Sequence, residues 1–188
     1  MAKIGITGSI ASGKSTACKI ISNRRGPLFN ADKIVVELYA KNSFRKLIIK
    51  KLKLKKTSNF KDSLKEKILK NKGSLTKLEK IIHPVVRRKM LSFLKKNKKN
   101  KLLFLEVPLL IENNLSKYFD IIIFIKSNTY IRKKRYLRRG GNLKLFTILD
   151  KQQWKDTKKM NFCDHIVVNN KSLSVLKKNL LNIIKTYE

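Results

Sequence analysis

The chain has 188 residues, enough for one compact domain with modest insertions and too few for two domains of ordinary size. Hydrophobic residues make up 42% of the chain, which predicts a folded core and excludes wholesale disorder. The 46 Lys and Arg residues far exceed the 12 Asp and Glu residues, so the formal net charge is +34.

Strand and helix patterns alternate along the chain. In chain order, the patterns predict strand 3–7, helix 14–25, strand 28–30, helices 32–54, 60–69 and 75–94, strands 102–107 and 121–125, helix 128–139, strand 166–168 and helix 173–184. The apolar runs at 102–107 and 121–125 are typical of central parallel strands. The alternation predicts an α/β fold with a parallel sheet flanked by helices.

The excess positive charge would ordinarily suggest a nucleic-acid or membrane-surface partner. However, lysines are spread over every predicted surface helix, and Lys is enriched together with Asn and Ile, as an A+T-rich coding sequence would produce. We therefore do not expect a nucleic-acid partner. The positive field would still favour an anionic small substrate.

The sequence also bears on the compartment. Cys18 and Cys163 lie far apart without metal-ligand spacing, so we expect two small core residues in a reducing compartment. No stretch resembles a signal peptide or approaches the roughly 18 apolar residues of a membrane span. We expect a cytoplasmic protein that does not span a membrane.

One segment predicts phosphate binding. Residues Gly8 to Ser15, the phosphate-binding loop, match G-x-x-x-x-G-K-[ST] between a predicted strand and a predicted helix. Such a loop wraps a phosphate with backbone N–H groups, and the next helix points its N-terminus at the anion. In this motif Lys14 reaches the β- and γ-phosphates and the Ser15 hydroxyl ligates Mg²⁺. The predicted ATP-binding residues are Gly8, Ala11, Ser12, Gly13, Lys14, Ser15 and Thr16.

The loop alone does not separate kinases from GTPases or motor ATPases. A GTPase would need N-K-x-D, and residues 161–164 lack its Lys. Glu106 is a weak candidate for the acid of a motor ATPase, because the apolar strand continues to Val107. The small size and the predicted insertions favour a small-molecule kinase. We expect a single domain with its core at about 1–31, 96–128 and 160–188, an acceptor-binding helical insertion at about 32–95 and a lid at about 129–159.

Several segments, in order along the chain, are similar to motifs of the dephospho-coenzyme A kinase family. The loop resembles G-G-I-G-S-G-K-S/T-T, with Ser9 and Ala11 in place of glycines. Asn30-Ala31-Asp32 matches D-A-D, and His83-Pro84-Val85-Val86-Arg87 matches H-P-x-[IV]-R. Residues 107–112 match V-P-L-L-x-E, and residues 163–169 match A-D-x-V-I-x-N more weakly. The chain resembles this family over nearly its full length.

The resemblance implies transfer of the γ-phosphoryl group of ATP to the ribose 3′-hydroxyl of dephospho-coenzyme A, the last step of coenzyme A biosynthesis. It implies that Asp32 accepts the proton of that hydroxyl or orients it. From the residues alone, a helix N-cap is the favoured role of Asp32, and the two roles can coexist. Asn30 departs from the family's acid, which removes a charge near Mg²⁺ or Asp32. Ser9 and Ala11 are compatible with the loop provided that both avoid a positive φ.

The resemblance also implies an acceptor site and a lid. Its predicted acceptor-binding residues are Asp32, His83, Arg87, Pro108, Leu109, Leu110 and Glu112. For His83 a structural role is the alternative, and Pro108 could simply end a core strand. Arg135 and Arg139, predicted with Arg132 to share one helical face, would act with Lys14 on the transferring phosphoryl group. The alternative is a solvated basic helix.

Some alternatives stay open from the sequence. The family's lid glutamine corresponds to either Gln152 or Gln153. Another P-loop kinase, with a nucleotide or shikimate as acceptor, lacks the V-P-L-L-x-E and H-P-V-V-R matches. A nucleic-acid-binding protein with a vestigial loop conflicts with the intact Lys14-Ser15 pair and would show strongly salt-dependent binding. We expect a monomer, with an oligomer as the alternative.

Overall fold

The computed structural model describes residues 1–54, 59–71 and 73–188. Within these residues the chain forms two compact units. The first, the sheet unit, consists of Met1–Asn30 and Phe93–Glu188, and the second, the helical unit, is Ala31–Ser92. None of the helices in the described ranges combines the length and apolarity needed to cross a bilayer.

The sheet unit is built on parallel strands. They are β1 (Ala2–Thr7), β2 (Leu28–Asn30), β3 (Leu102–Glu106), β4 (Ile121–Lys126) and β5 (His165–Val168). Their order across the sheet is β2-β3-β1-β4-β5, and every neighbouring pair is parallel. The carboxyl ends of parallel strands share one edge of the sheet, so Asn30 and Glu106 lie opposite each other there.

The helices lie between and after these strands in the sequence. In the described residues they are α1 (Lys14–Ser22), α2 (Ala31–Ala40), α3 (Asn42–Leu52), α4 (Phe60–Lys70), α5 (Gly73–Lys96), α6 (Thr129–Arg138), α7 (Leu143–Gln152), α8 (Asp156–Met160) and α9 (Leu173–Lys185). A 3₁₀ turn at Ser116–Tyr118 precedes β4. The α/β fold and the parallel sheet predicted from the sequence are confirmed.

The core of the sheet unit lies between the sheet and two helices. Helix α9 buries Leu176, Leu180 and Ile184, which recur every four residues and form one face. This face joins the same apolar cluster as Cys18 of α1 and Ile4 of β1, both of which are fully buried. The central strands read as continuous apolar runs because both of their faces are covered.

The helical unit has a core of its own. Its helices α2 to α4 and most of α5 bury apolar residues at helical spacing, namely Leu38, Phe44, Ile48, Leu52, Leu64, Ile68, Leu75, Leu78 and Ile82. Tyr39 adds an edge-to-face contact with Phe60, with 5.4 Å between ring centroids. The alternation of these apolar positions with lysines explains why the sequence predicts helices here.

Four details differ from the sequence predictions. The single helix predicted over 32–54 is wrong, because Lys41 has an extended conformation that separates α2 from α3. Helices α7 and α8 were not predicted, and α1 ends at Ser22, before the predicted residue 25. Cys163 is only partly buried, whereas Cys18 lies in the core as expected. Both helices of the broken pair keep one apolar face, so periodicity alone does not reveal the break.

Candidate active site

The phosphate-binding loop joins β1 to α1 at the carboxyl edge of the sheet. Gly13, which precedes α1, has a φ of 102°, a conformation that side chains strongly disfavour. A Cβ atom at Gly13 would also lie 2.2 Å from Nδ2 of Asn169. Gly8 likewise has a positive φ, of 146°. A Cβ atom at Gly8 would lie 2.5 Å from the backbone carbonyl oxygen of Ile125. Both motif glycines are therefore required by backbone conformation and by space.

One sequence expectation about this loop is wrong. Ala11 has a φ of 58°, in the left-handed region, although the sequence analysis required it to avoid a positive φ. An L-residue in this region costs about 1 kcal/mol relative to its right-handed conformation. Ser9 is not among the positive-φ residues, so the expectation for Ser9 is confirmed. The surrounding fold holds Ala11 in this conformation despite the local cost.

Lys14 and Ser15 are the first two residues of α1 and end the phosphate-binding loop. The buried Lys14 side chain donates from Nζ to the carbonyl oxygens of Gly8 and Ser9, at 2.9 Å each. The Ser15 hydroxyl donates to Oε1 of Glu106 at 2.6 Å. Thr16 follows in the first turn of α1 and is half-buried. An ammonium group, a hydroxyl group and a helix N-terminus thus converge on the loop.

Glu106 forms a second polar cluster at the end of β3. Its side chain is 1% exposed and accepts hydrogen bonds from Ser15 on Oε1 and from the Asn30 amide on Oε2. A serine hydroxyl and a carboxylate are the oxygen ligands that Mg²⁺ prefers, so the residues present fit this ion. From the sequence Glu106 was only a weak candidate, and the pairing of β1 with β3 that brings it to Ser15 is a tertiary feature.

Arg135 and Asn169 hold the far side of the loop. The Asn169 amide donates to the Ser12 carbonyl at 2.8 Å, and Nη1 of Arg135 donates to the same carbonyl at 3.2 Å. Arg135 also donates to the Asn169 carbonyl at 3.1 Å. Burial lowers the pKa of Arg135, and the nearby charge of Arg139 lowers it further. The predicted lid arginine therefore lies against the phosphate-binding loop.

The other two arginines lie in different surroundings. Arg132 is 5% exposed and forms an ion pair with Asp150, at 2.5 Å from Nη1 to Oδ1. The solvated-helix alternative is therefore wrong for Arg132. Arg139 is exposed and directly follows the last residue of α6, whereas Arg132 and Arg135 lie within the helix.

The predicted acceptor residues fall in both units. In the helical unit, Asp32 is exposed in the first turn of α2, inside the helix and not at its N-cap. A carboxylate there also interacts favourably with the helix dipole. His83 and Arg87 lie four residues apart on α5, which continues through Pro84. Their spacing places both on one helical face.

In the sheet unit, residues Pro108 to Glu112 follow β3. The Pro108 carbonyl accepts a hydrogen bond from the Thr7 hydroxyl at 3.1 Å. Pro108 and Leu109 are partly exposed, whereas Leu110 is fully buried. The Glu112 side chain accepts the backbone N–H of Trp154 at 3.2 Å. Pro108 and Leu109 therefore have side-chain surface available to a ligand, while Leu110 contributes to the core below them.

The segment before α8 also contacts the loop. The side-chain oxygen of Gln153 accepts the backbone N–H of Ile10 at 3.0 Å, and Asp156 accepts the Ser9 hydroxyl. The sequence left Gln152 and Gln153 as alternatives, and Gln153 contacts the loop. Asn169, Gln153 and Asp156 had no predicted role. Asn169 and the glutamine pair were visible only as weak motif matches.

Comparisons with known proteins bear on this site. The family model for dephospho-CoA kinase matches residues 2–174. The chain belongs to the dephospho-CoA kinase family. A dephospho-CoA kinase from Fusobacterium nucleatum is 33% identical to the chain over 191 residues, covering 97% of each.

Solved structures are similar in fold. A dephospho-CoA kinase from Campylobacter jejuni superposes with a TM-score of 0.65 at 26% identity, covering 100% of this chain and 97% of that one. A protein from Thermus thermophilus gives a TM-score of 0.76 at 23% identity, covering 98% and 97%. The second likeness supports the fold alone. ATP use follows from the kinase family to which the chain belongs.

Proposed function

We propose that the chain phosphorylates the ribose 3′-hydroxyl of dephospho-coenzyme A with ATP, giving coenzyme A and ADP in the last step of coenzyme A biosynthesis. The observation that carries this proposal is an intact phosphate-binding loop in a chain of the dephospho-CoA kinase family. The loop supports binding of the phosphate donor, and membership of the family indicates dephospho-coenzyme A as the acceptor.

Phosphoryl transfer depends mainly on positioning and on neutralisation of charge. In the proposed reaction the 3′-oxygen forms a bond to the γ-phosphorus, and the bond from that phosphorus to the leaving oxygen of ADP breaks. The hydroxyl proton passes to the Asp32 carboxylate, which is exposed in the first turn of α2 and therefore accessible to a ligand. Lys14, Arg135 and Arg139 supply positive charge for the phosphates.

The donor site uses the loop of the sheet unit. Gly8, Gly13 and the start of α1 support phosphate binding through backbone N–H groups, with contributions from the residues between them and just after: Ala11, Ser12, Lys14, Ser15 and Thr16. We propose that Ser15 and Glu106 hold Mg²⁺, because their oxygens already lie 2.6 Å apart. When bound, the ion would neutralise phosphate charge.

The proposed acceptor-binding residues are mainly apolar in the sheet unit and mainly basic in the helical unit. Pro108 and Leu109 offer partly exposed apolar surface for the acceptor, with Leu110 as the buried support and Glu112 at the edge. His83 and Arg87, on one face of α5, would bind its anionic groups. The high positive charge favours such an acceptor electrostatically. A monomeric, cytoplasmic enzyme without a nucleic-acid partner remains our prediction.

The test is ADP release from Mg·ATP by the purified protein, with and without dephospho-coenzyme A, together with mass analysis of the product. We expect release to require the acceptor and the product to be coenzyme A. Lys14→Ala should lower kcat/KM on the order of 1000-fold, because it removes the charge next to the phosphates. Lys19→Ala is the matched control, since Lys19 is an exposed lysine of the same helix.

A second pair of variants tests the acceptor carboxylate. Asp32→Asn should lower kcat on the order of 100-fold by removing the proton acceptor, with the KM for ATP unchanged. Glu37→Gln, which removes another exposed carboxylate of α2, should retain wild-type kcat. ATP binding without turnover of dephospho-coenzyme A in the wild type would exclude this acceptor, and other small acceptors would then be tried.

A further inference from the structure

Lys159 of α8 is a lysine with no exposed surface. Its ammonium nitrogen lies 3.3 Å from Oε1 of Glu112 and 3.3 Å from the Ser9 hydroxyl oxygen. Removing an ammonium group from water is strongly unfavourable unless it gains an opposite charge and hydrogen-bond acceptors. Glu112 supplies the opposite charge here, and the second acceptor belongs to the phosphate-binding loop.

The Ser9 side chain has two partners from the same short helix. It donates to Asp156 at the start of α8 and accepts from Lys159, three residues later. The neighbouring N–H group of Ile10 is bound by Gln153, just before that helix. Consecutive loop residues are therefore tied to one segment, residues 153–159, which lies more than 140 residues away in sequence.

The backbone of Ser9 is coupled to Lys14 at the same time. The Ser9 carbonyl accepts the Lys14 ammonium at 2.9 Å, as does the Gly8 carbonyl. A rotation of the Ser9 peptide would therefore move both the loop N–H groups and the acceptor that orients Lys14. The side chains of residues 153–159 hold Ser9 and Ile10 in place, and Lys159 is the only charged donor among the contacts described for that segment.

We propose that Lys159, with Glu112 as its counter-ion, is a positioning residue that holds Ser9 and the first half of the phosphate-binding loop in the ATP-binding conformation. This rests on the proposed function only in its use of ATP as the donor. It gives Glu112 an internal role: the carboxylate keeps the Lys159 charge in place and orients it toward the loop. The side chain of Glu112 is only 10% exposed, consistent with that role.

The test compares ATP binding with folding stability in four variants. Lys159→Met removes the charge at similar volume, Ser9→Ala removes the loop end of the contact, and Lys155→Met is an exposed-lysine control next to α8. The double variant Lys159→Met/Glu112→Gln removes both charges of the buried pair. Isothermal calorimetry with ATP, without acceptor, gives the Kd, and thermal unfolding gives the Tm.

We expect Lys159→Met and Ser9→Ala each to raise the Kd for ATP by about 10- to 100-fold, the loss that follows removal of a charge-assisted hydrogen bond. The Lys155→Met control should match the wild type in both quantities. The double variant should recover much of the Tm lost in Lys159→Met, because no unpaired charge remains, yet should still bind ATP weakly.

Two results would overturn the proposal. One is a wild-type Kd in Ser9→Ala, a variant that leaves the buried ion pair intact and is therefore expected to fold. The other is recovery of both Tm and Kd in the double variant, which would mean that Lys159 serves only to neutralise Glu112. Because binding is measured without acceptor, a failure of dephospho-coenzyme A as substrate would leave this test unaffected.

Discussion

The phosphate-binding loop and the helical unit are stabilised over different distances along the chain. In the loop, Ser9 contacts Asp156 and Ser12 contacts Asn169, residues separated by 147 and 157 positions. In the helical unit, contacts such as Ser63 to Asn59 and Lys70 to Glu66 span four positions within one helix. The loop therefore takes its conformation from distant parts of the sheet unit, whereas the helices of the helical unit also have many local contacts.

This difference has a consequence for mutation. A substitution in the loop displaces side chains that other elements hold in place, so the neighbouring atoms cannot move aside to relieve the resulting steric strain. A change on a helix surface of the helical unit meets solvent and flexible side chains. Matched substitutions in the two regions should therefore differ in the size of their effects, and paired glycine variants and paired ion-pair variants test that expectation.

The largest difference is expected between Gly13→Ala and Gly73→Ala. The new Cβ at Gly13 would lie 2.2 Å from the Asn169 amide on a backbone with a φ of 102°. We expect ATP binding to weaken on the order of 100-fold, which corresponds to about 3 kcal/mol of strain and lost contact. At Gly73 the nearest atom to the new Cβ, Oδ1 of Asn71, is 3.2 Å away. Equal ATP affinity in the two variants, measured by calorimetry, would contradict this comparison.

The ion pairs of the two regions should also differ. Arg132→Met breaks a pair with Asp150 in which the arginine side chain is 6% exposed, and we expect a loss of about 3 kcal/mol in the free energy of unfolding. Lys70→Met breaks an exposed pair with Glu66 and should cost about 0.5 kcal/mol or less. Urea unfolding of both variants measures the difference. Comparable losses in the free energy of unfolding would show that burial does not determine how much each ion pair contributes to stability.

A pH effect is expected within the helical unit. Burial raises the pKa of Tyr39 from its ordinary value of 10.0 to about 12. Below pH 10 the hydroxyl is neutral in the folded and unfolded chain, but between pH 10 and 12 the unfolded chain releases its proton first, so stability falls as pH rises. Tyr39→Phe should remove about 1 kcal/mol of the fall between pH 8 and pH 11. Parallel pH profiles of unfolding for wild type and variant would refute this assignment.

The smallest effect concerns Ala11. Glycine adopts the observed φ of 58° without steric cost, so Ala11→Gly should stabilise the protein by about 0.5 kcal/mol despite the greater flexibility of its unfolded chain. Ala17→Gly, in the middle of α1, should have the opposite sign. A lower Tm for Ala11→Gly would indicate that the alanine methyl group makes a favourable contact that outweighs the strain.

Much of the site was predictable because its chemistry is local in sequence. Lys14, Ser15 and the two motif glycines belong to one short motif, and a strand before and a helix after it are readable from apolar patterning. The family resemblance rests in the same way on short segments, and the family is shown by the match over residues 2–174. The roles of Asp32, His83 and Arg87 remain predictions.

Other features were not predictable, since they require knowing which distant segments meet. Arg132 and Arg135 look alike on one basic helix, yet one is paired with Asp150 and the other binds the loop carbonyl of Ser12. Helices α7 and α8 were not predicted from the sequence. Helix α8 is only five residues long, yet two of its side chains bind Ser9. Short helices with weak patterns are set by tertiary contacts.

By itself, the sequence determined the parallel α/β fold, the phosphate-binding loop and the resemblance to a kinase family, because each depends on the order and spacing of nearby residues. Only the tertiary structure decided that Glu106 meets Ser15, that Ala11 has a positive φ and that Lys159 is buried against Glu112 and the loop. These features depend on strand pairing and on burial, which bring together groups that are far apart in the chain and change the energy of charges removed from water.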